Sequence, residues 1–203
     1  GTDHRILARR DPLRREANSL GATALERVYA RFPERPLSRE NEARTLASRL
    51  SSAIERQCGT RPLPCEHLEV FVSGERRFER LIEDLTAAQD SIHLQYFIWE
   101  EDDLTRRICE ALAERAAAGV TVRVTYDWMG SFAHRKGQLK RLAATGARVE
   151  TARPHPLWLN CLDHRKIAVI DGRIGYTGGM NMGREYLDGG RRFASWRDTH
   201  CRF

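Results

Sequence analysis

Residues 164–181 read HRKIAVIDGRIGYTGGMN, and their spacing suits chemistry on phosphorus. Side chains alternate along a strand, so His164 and Lys166 share a face about 7 Å apart, followed there by Ala168 and Ile170. An imidazole can attack phosphorus or shuttle a proton, and an ammonium two residues on can hold nonbridging phosphate oxygens as charge develops. Gly178 and Gly179 let the backbone approach a ligand closely, and the Asn181 amide can donate to a phosphate oxygen. The same string also reads without chemistry, as a solvated edge strand followed by an Asp171-Gly172 type I′ hairpin turn. Lysine is scarce: there are only three, Lys136, Lys140 and Lys166, against 31 Arg. A compact ammonium is thus used at 166 where this chain otherwise writes a guanidinium, although Lys136 and Lys140 sit on an ordinary helix.

The elements that must position these residues are an alternation of strands and helices. LEVFVSG (68–74), SIHLQYFIW (91–99), TVRVTYD (121–127) and ARVET (147–151) read as strands. RRFERLIEDLTAA (76–88), the helix over 103–119 closed by Gly119, and a shorter one over 136–145 read as helices. Strands separated by helices of this length predict an α/β fold with a largely parallel sheet. Before them, Leu20 to Phe32 and Ser38 to Cys58 carry helical spacing, with Ser38 a weak cap. The stretch GTRPLPCEH (59–67) reads as a linker. We place a boundary there, between a helical basic segment of unassigned function, 1–65, and an α/β domain, 66–203.

The chain has 203 residues and a net charge of +6, enough length for one domain and too little for a large multidomain enzyme. Residues 1–65 hold 13 basic and 8 acidic residues and residues 66–203 hold 21 and 20, so the surplus sits in the first third. A basic segment of this kind suits an anionic partner or a plain solvated helix surface. No run approaches the apolar length of a membrane span. Five cysteines, at 58, 65, 109, 161 and 201, form no CxxC pair or metal-like cluster, which fits a reduced compartment. Asp127 reads as a turn cap, and Glu100 to Asp103 as a helix N-terminus, since adjacent carboxylates cannot all face one ion. His93, in step with Gln95 and Phe97, reads as a core or site-wall residue.

The string His164-x-Lys166-x4-Asp171-x6-Gly178-Gly179-x-Asn181 resembles the HKD signature of the phospholipase D superfamily, in the form carried by bacterial cardiolipin synthases. SIHLQYFIWEEDDL (91–104), the helix and strand through Asp127, and WRDTH (196–200) extend the resemblance over roughly 66–203. It implies a phospholipase D-like sandwich with a mostly parallel or mixed central sheet flanked by helices. It also implies phosphatidyl transfer without metal or other cofactor. His164 would form a phosphatidyl-histidine intermediate, a second histidine would protonate the leaving alcohol, and an acceptor alcohol would then attack. Lys166, Asn181, Gly178 and Gly179 would hold the phosphate, and Asp198 would orient His164 through its other ring nitrogen. Asp171 belongs to the signature and so joins His164, Lys166 and Asp198 as a candidate catalytic residue, but its strand parity is opposite to that of His164 and Lys166, which argues that it orders the turn. The implied partners are an anionic, phosphatidylglycerol-like phospholipid and the membrane surface, at its cytoplasmic face and peripherally.

The family builds one site from two such motifs, and this chain has one. The sequence ends at CRF, inside an expected strand, which suggests the first half of a longer protein; a homodimer pooling two copies of His164 is the alternative. Asp163 stands where the synthases often carry Asn. The insert RPHPLWLNCLD (153–163) offers Trp158 and Leu159 as a lipid-contacting loop or as packing. Two further readings remain at this point. One is a homodimeric superfamily nuclease or phosphodiesterase, disfavoured by the near-neutral charge of 66–203 and by the motif context. The other is an inactive fragment that binds anionic lipid through 1–65.

Overall fold

A computed structural model describes residues 42–59, 63, 65–132, 136–152, 162–190 and 193–203. The expected helix over 20–32, the Ser38 cap, and Trp158 and Leu159 lie outside them. The chain divides into two units, Gly1–Cys65 and Glu66–Phe203. In the first, helix α1 (Glu42–Cys58) leaves Leu50 and Ile54, one turn apart, exposed.

The second unit runs β1 (Glu69–Phe71), α2 (Gly74–Ala87), β2 (Ser91–Tyr96), α3 (Asp103–Ala117), β3 (Thr121–Asp127), α4 (Gly137–Ala143), β4 (Arg148–Ala152), β5 (Ile167–Ile170), β6 (Ile174–Gly178), α5 (Glu185–Asp188) and β7 (His200–Arg202). Its sheet has the order β1-β7-β6-β5-β2-β3-β4. Only β2–β3 and β3–β4 are parallel. β1–β7, β2–β5, β5–β6 and β6–β7 are antiparallel. The sheet is therefore mixed, because helical crossovers join only the β2–β3–β4 side, whereas β5 and β6 meet through a short turn.

Burial follows strand parity. Ile92, Leu94 and Tyr96, then Val122 and Val124, then Ala168 and Ile170 are buried. Helix α2 meets this core with Phe78, Leu81 and Leu85, and α3 with Leu104, Ile108 and Leu112, spacings of three and four that make one apolar stripe each. Each such side chain is worth roughly 1.5–3 kcal/mol when removed from water. His93 and Gln95 have the other parity and are half-buried, so His93 is not a core residue.

Local chemistry sets the element ends. Asp102 caps α3 in a reciprocal box with Thr105, each side chain meeting the other's backbone N–H. Glu101 accepts from the N–H groups of Gly137 and Gln138 at the start of α4. The acidic run at 100–103 thus serves helix ends, as its spacing suggests. β2 stops at Tyr96, short of the expected 99, because the next residues turn aside: Trp99 bridges Met182 and the Ile98 N–H donates to Asn181. β7 is locked to α2 by a part-buried pair, Arg202 to the buried Asp84 at 2.7 and 3.1 Å, and the Tyr176 hydroxyl also donates to that carboxylate.

Candidate active site at one edge of the sheet

Four chain segments converge on one edge of the sheet. They are the exit of β2 (Phe97–Trp99), the approach to β5 (Leu162–Lys166), the exit of β6 (Gly178–Met182) and the approach to β7 (Trp196–Thr199). The register places them together: Gln95 pairs with Ile167, Ile167 with Thr177, and Gly178 with His200.

His164 and Lys166 precede β5, which begins at Ile167, yet they lie on extended chain. His164 is exposed, while Lys166 is buried and continues the parity of Ala168 and Ile170. The His164 ring packs against Phe97 with centroids 4.7 Å apart. The Lys166 ammonium lies 5.4 Å from the same Phe97 centroid and donates to the His164 carbonyl oxygen at 2.7 Å. Burial pushes the Lys166 amine below its ordinary value, opposed by the Asp198 and Asp163 carboxylates. One aromatic ring thus seats both members of the pair. Sequence reasoning placed Phe97 only as a register mark; its position at the end of a strand beside the motif was the available signal.

Asn181 is buried, accepts the Ile98 N–H on Oδ1 and donates from Nδ2 to the Tyr186 hydroxyl at 2.7 Å. This leaves one Nδ2 hydrogen for a ligand. The two glycines have a role that the sequence did not disclose. A Cβ on Gly179 would lie 2.0 Å from Asp198 Oδ1, and one on Gly178 would lie 2.5 Å from both the Thr199 carbonyl oxygen and the His200 Cα. The Gly179 N–H donates to that Thr199 oxygen at 2.9 Å. The space a side chain would take is therefore filled by the WRDTH tract, so the glycines admit protein groups to this edge.

Asp198 comes close enough to Lys166 to act on its charge. Its Oδ1 accepts the Thr199 N–H at 2.7 Å, and among the described residues it makes no hydrogen bond to His164. Asp171 is at the far end of β5. Its carboxylate collects the N–H groups of Gln89, Asp90 and Ser91 at 2.8–3.2 Å. Asp171 and Gly172 have φ of 52° and 62°, the two left-handed positions of a type I′ turn. The structure thus gathers His164, Lys166, Gly178, Gly179, Asn181 and Asp198 and leaves Asp171 apart. The reason is parity and strand length, as the alternation rule anticipated.

Beneath the edge lie a buried arginine and a buried histidine that residue spacing gave no sign of. Arg77 is fully buried, with its guanidinium 4.3 Å over Phe78, hydrogen-bonded to the Tyr96 hydroxyl. His200 is fully buried and neither ring nitrogen has a partner. Burial, then Arg77 and Lys166, push its imidazole down to about 2, so it stays neutral. Among the described residues no group of His, Cys, Asp or Glu could hold a metal ion.

A family model described as cardiolipin synthase, PLD-like domain, matches residues 81–191. The major cardiolipin synthase ClsA of Bacillus subtilis is 44% identical over 140 residues, covering 66% of this chain and 29% of that protein. A cardiolipin synthase of Staphylococcus aureus is likewise 44% identical, covering 66% and 28%. The chain therefore spans less than a third of the length of these relatives. Among solved structures, phosphatidylserine synthase of Haemophilus influenzae aligns with a TM-score of 0.55 at 15% identity, over 75% of this chain and 37% of that one. NucT of Helicobacter pylori aligns at 0.52 and 19%, over 67% and 84%. These likenesses establish the fold, and with the match over 81–191 the chain belongs to the family of cardiolipin synthase, PLD-like domains.

Proposed function

We propose that this chain supplies one half of the active site of a phosphatidyltransferase, with His164 as nucleophile. The observation that carries this reading is the joint seating of His164 and Lys166 on Phe97, with Asn181 and Asp198 at the same edge. An exposed imidazole nitrogen attacks the phosphorus of a phosphatidylglycerol-like donor. The new P–N bond replaces a P–O bond, and the departing alcohol takes its proton from a second histidine. That histidine belongs to a second motif, either elsewhere in a longer polypeptide or on a second copy. An acceptor alcohol then attacks phosphorus, gives up its proton and releases His164.

Lys166 holds the nonbridging oxygens, and its buried position makes the charge effective because little water screens it. Its bond to the His164 carbonyl fixes ammonium and imidazole as one unit. Asn181 offers its remaining amide hydrogen to phosphate, and Gly178 and Gly179 bring Asp198 beside Lys166. Asp198 serves that charge first and reaches His164 only if substrate redraws the bonds. Asp171 holds the far turn and takes no part in the reaction. Substrate phosphate sits in the headgroup layer, so this unit works at a membrane surface, which we place at the cytoplasmic face as a peripheral contact; among the described residues no helix is long and apolar enough to cross.

The test is transfer from phosphatidylglycerol labelled at phosphorus by the protein with both motifs present, followed by quench in alkaline denaturant, which preserves a P–N bond, to capture label on protein. His164→Ala abolishes both transfer and capture, and Lys166→Ala lowers the rate on the order of 10²–10³-fold. Transfer unaltered in His164→Ala, or label captured on another residue of this chain, overturns the mechanism. Cleavage of single-stranded DNA without lipid transfer would instead make the protein a nuclease.

A further inference from the structure

The turn after β3 is clamped to the site yet presents apolar side chains to solvent. The buried Asp127 carboxylate accepts from the N–H groups of Met129 and Gly130 on Oδ1, at 2.8 and 3.0 Å, and from the Asp163 N–H on Oδ2 at 3.1 Å. Ser131 accepts the Trp99 N–H and donates to the Phe97 carbonyl, at 3.0 and 3.1 Å. Gly130 sits so close to Phe97 that a Cβ would lie 2.4 Å from the Phe97 carbonyl oxygen. These five hydrogen bonds hold the turn beside the ring that seats His164 and Lys166. From this rigid base Phe132 stands 70% exposed, Met129 40%, and Leu162, next to the clamped Asp163, 45%. Phe132 touches Trp128 edge-on at 5.3 Å, which fixes the direction it points.

A fixed apolar tip costs stability in water unless something covers it. The charge around it says what. Between Asp127 and Glu150 the chain has five basic residues, Arg135, Lys136, Lys140, Arg141 and Arg148, and no acidic one. The rest of 66–203 is net acidic, with 16 basic and 20 acidic residues. Two of the three lysines fall in this acid-free stretch, and Lys140 and Arg141 are exposed. The Lys136 ammonium donates to the Ser131 carbonyl oxygen of this turn, and the exposed Lys140 and Arg141 follow one helical turn later in the chain. An apolar tip with cations close by in the chain matches the layering of an anionic bilayer, with acyl chains below phosphate. A nucleic acid offers the cations a partner but gives a protruding Phe and Met no apolar layer to enter.

We propose that Met129, Phe132 and Leu162 form an insertion tip for an anionic lipid surface, with Lys140 and Arg141 supplying headgroup contacts. The tip sets His164 at the phosphate layer, because the same Asp127 carboxylate ties the tip to the motif's lead-in. This rests on the phosphatidyl-transfer reading for its purpose, but the docking itself does not require the nucleophile.

The test is sedimentation of the full chain with vesicles of phosphatidylglycerol and phosphatidylcholine, against phosphatidylcholine alone and against single-stranded DNA. Phe132→Ser and Met129→Ser together weaken binding to anionic vesicles at least about tenfold. Lys140→Glu with Arg141→Glu weakens it by a similar factor and makes it less sensitive to salt. Both variants keep the parent melting temperature within about 2 °C, since every altered side chain is exposed. His164→Ala binds as the parent does, so a failure of the transfer chemistry leaves the docking result standing. Unchanged binding in the Phe132/Met129 variant overturns the proposal. So does equal binding of the parent to neutral vesicles, or tip variants that lose DNA binding and keep vesicle binding.

Discussion

Gly178 and Gly179 are neighbours, yet an added methyl meets different obstacles, and the pair separates stability from site geometry. At Gly178 the new Cβ falls 2.5 Å from the Thr199 carbonyl oxygen and 2.5 Å from the His200 Cα, both backbone atoms of the paired strand. Relief requires β6 and β7 to part at the register pair Gly178 to His200. Overpacking of this kind costs about 1–3 kcal/mol. At roughly 2–4 °C per kcal/mol for a unit of this size, Gly178→Ala melts about 2–12 °C below the parent. At Gly179 the new Cβ falls 2.0–2.5 Å from the three atoms of the Asp198 carboxyl group, the movable end of a side chain. A rotamer change relieves that contact for about 0.5–1.5 kcal/mol, so Gly179→Ala melts within a few degrees of the parent. It nevertheless moves Asp198 away from Lys166. Melting followed by circular dichroism gives the first comparison and capture of the covalent intermediate gives the second. The expected pattern is a destabilised Gly178→Ala, and a folded Gly179→Ala with adduct formation slowed at least about tenfold. A Gly179→Ala protein that is the less stable of the two, or that forms adduct at the parent rate, refutes the assignment of these glycines to the WRDTH tract.

Three further outcomes follow from named contacts. Phe97→Ala removes the ring that seats His164 and Lys166, and adduct formation falls on the order of 10²-fold while vesicle binding persists; a parent-like rate counts against the seat. Asp84→Ala strands the part-buried Arg202 and costs about 1–3 kcal/mol by denaturant unfolding, a loss that replacing both partners with apolar residues should largely recover. Although burial pushes the Asp84 carboxyl up, hydrogen bonds from Arg202 and Tyr176 hold it below its usual value. This stability is present above about pH 4 and is lost as pH falls through the folded value. His200 binds a proton at an ordinary 6.5 when unfolded and near 2 when folded. Stability therefore falls on acidification below pH 6.5, by up to about 1.4 kcal/mol per pH unit, and His200→Gln flattens that slope. Superimposable profiles for parent and variant would show that His200 is not held neutral.

Strand parity was legible because alternation is a local property of the chain. It placed Lys166 on the buried face with Ala168 and Ile170, and by the same rule it set Asp171 apart from His164 and Lys166. Asp127 as a turn cap and the 100–103 run as helix ends were also readable, since capping joins residues a few positions apart. Whether the sheet was parallel was not, because strand direction depends on which strands pair, and a two-residue turn at Asp171-Gly172 reverses what the helical crossovers begin. Whether His93 belonged to the core was not legible either, for a related reason: a mixed apolar and polar run does not say which parity the helices will cover.

The sequence by itself determined the motif, its spacing and the family to which 66–203 is similar, all encoded by residue identity along one dimension. Only the tertiary structure decided what the glycines are for, since nothing local shows that Asp198 and His200, some 20 residues on, would fill the space above them. It alone placed Phe97 under both His164 and Lys166, buried Arg77 and His200 beneath the edge, and clamped an exposed Phe132 beside it. These are contacts between residues about 20 to about 120 positions apart, set by how strands pair and helices cover one face, and no short window of sequence contains them.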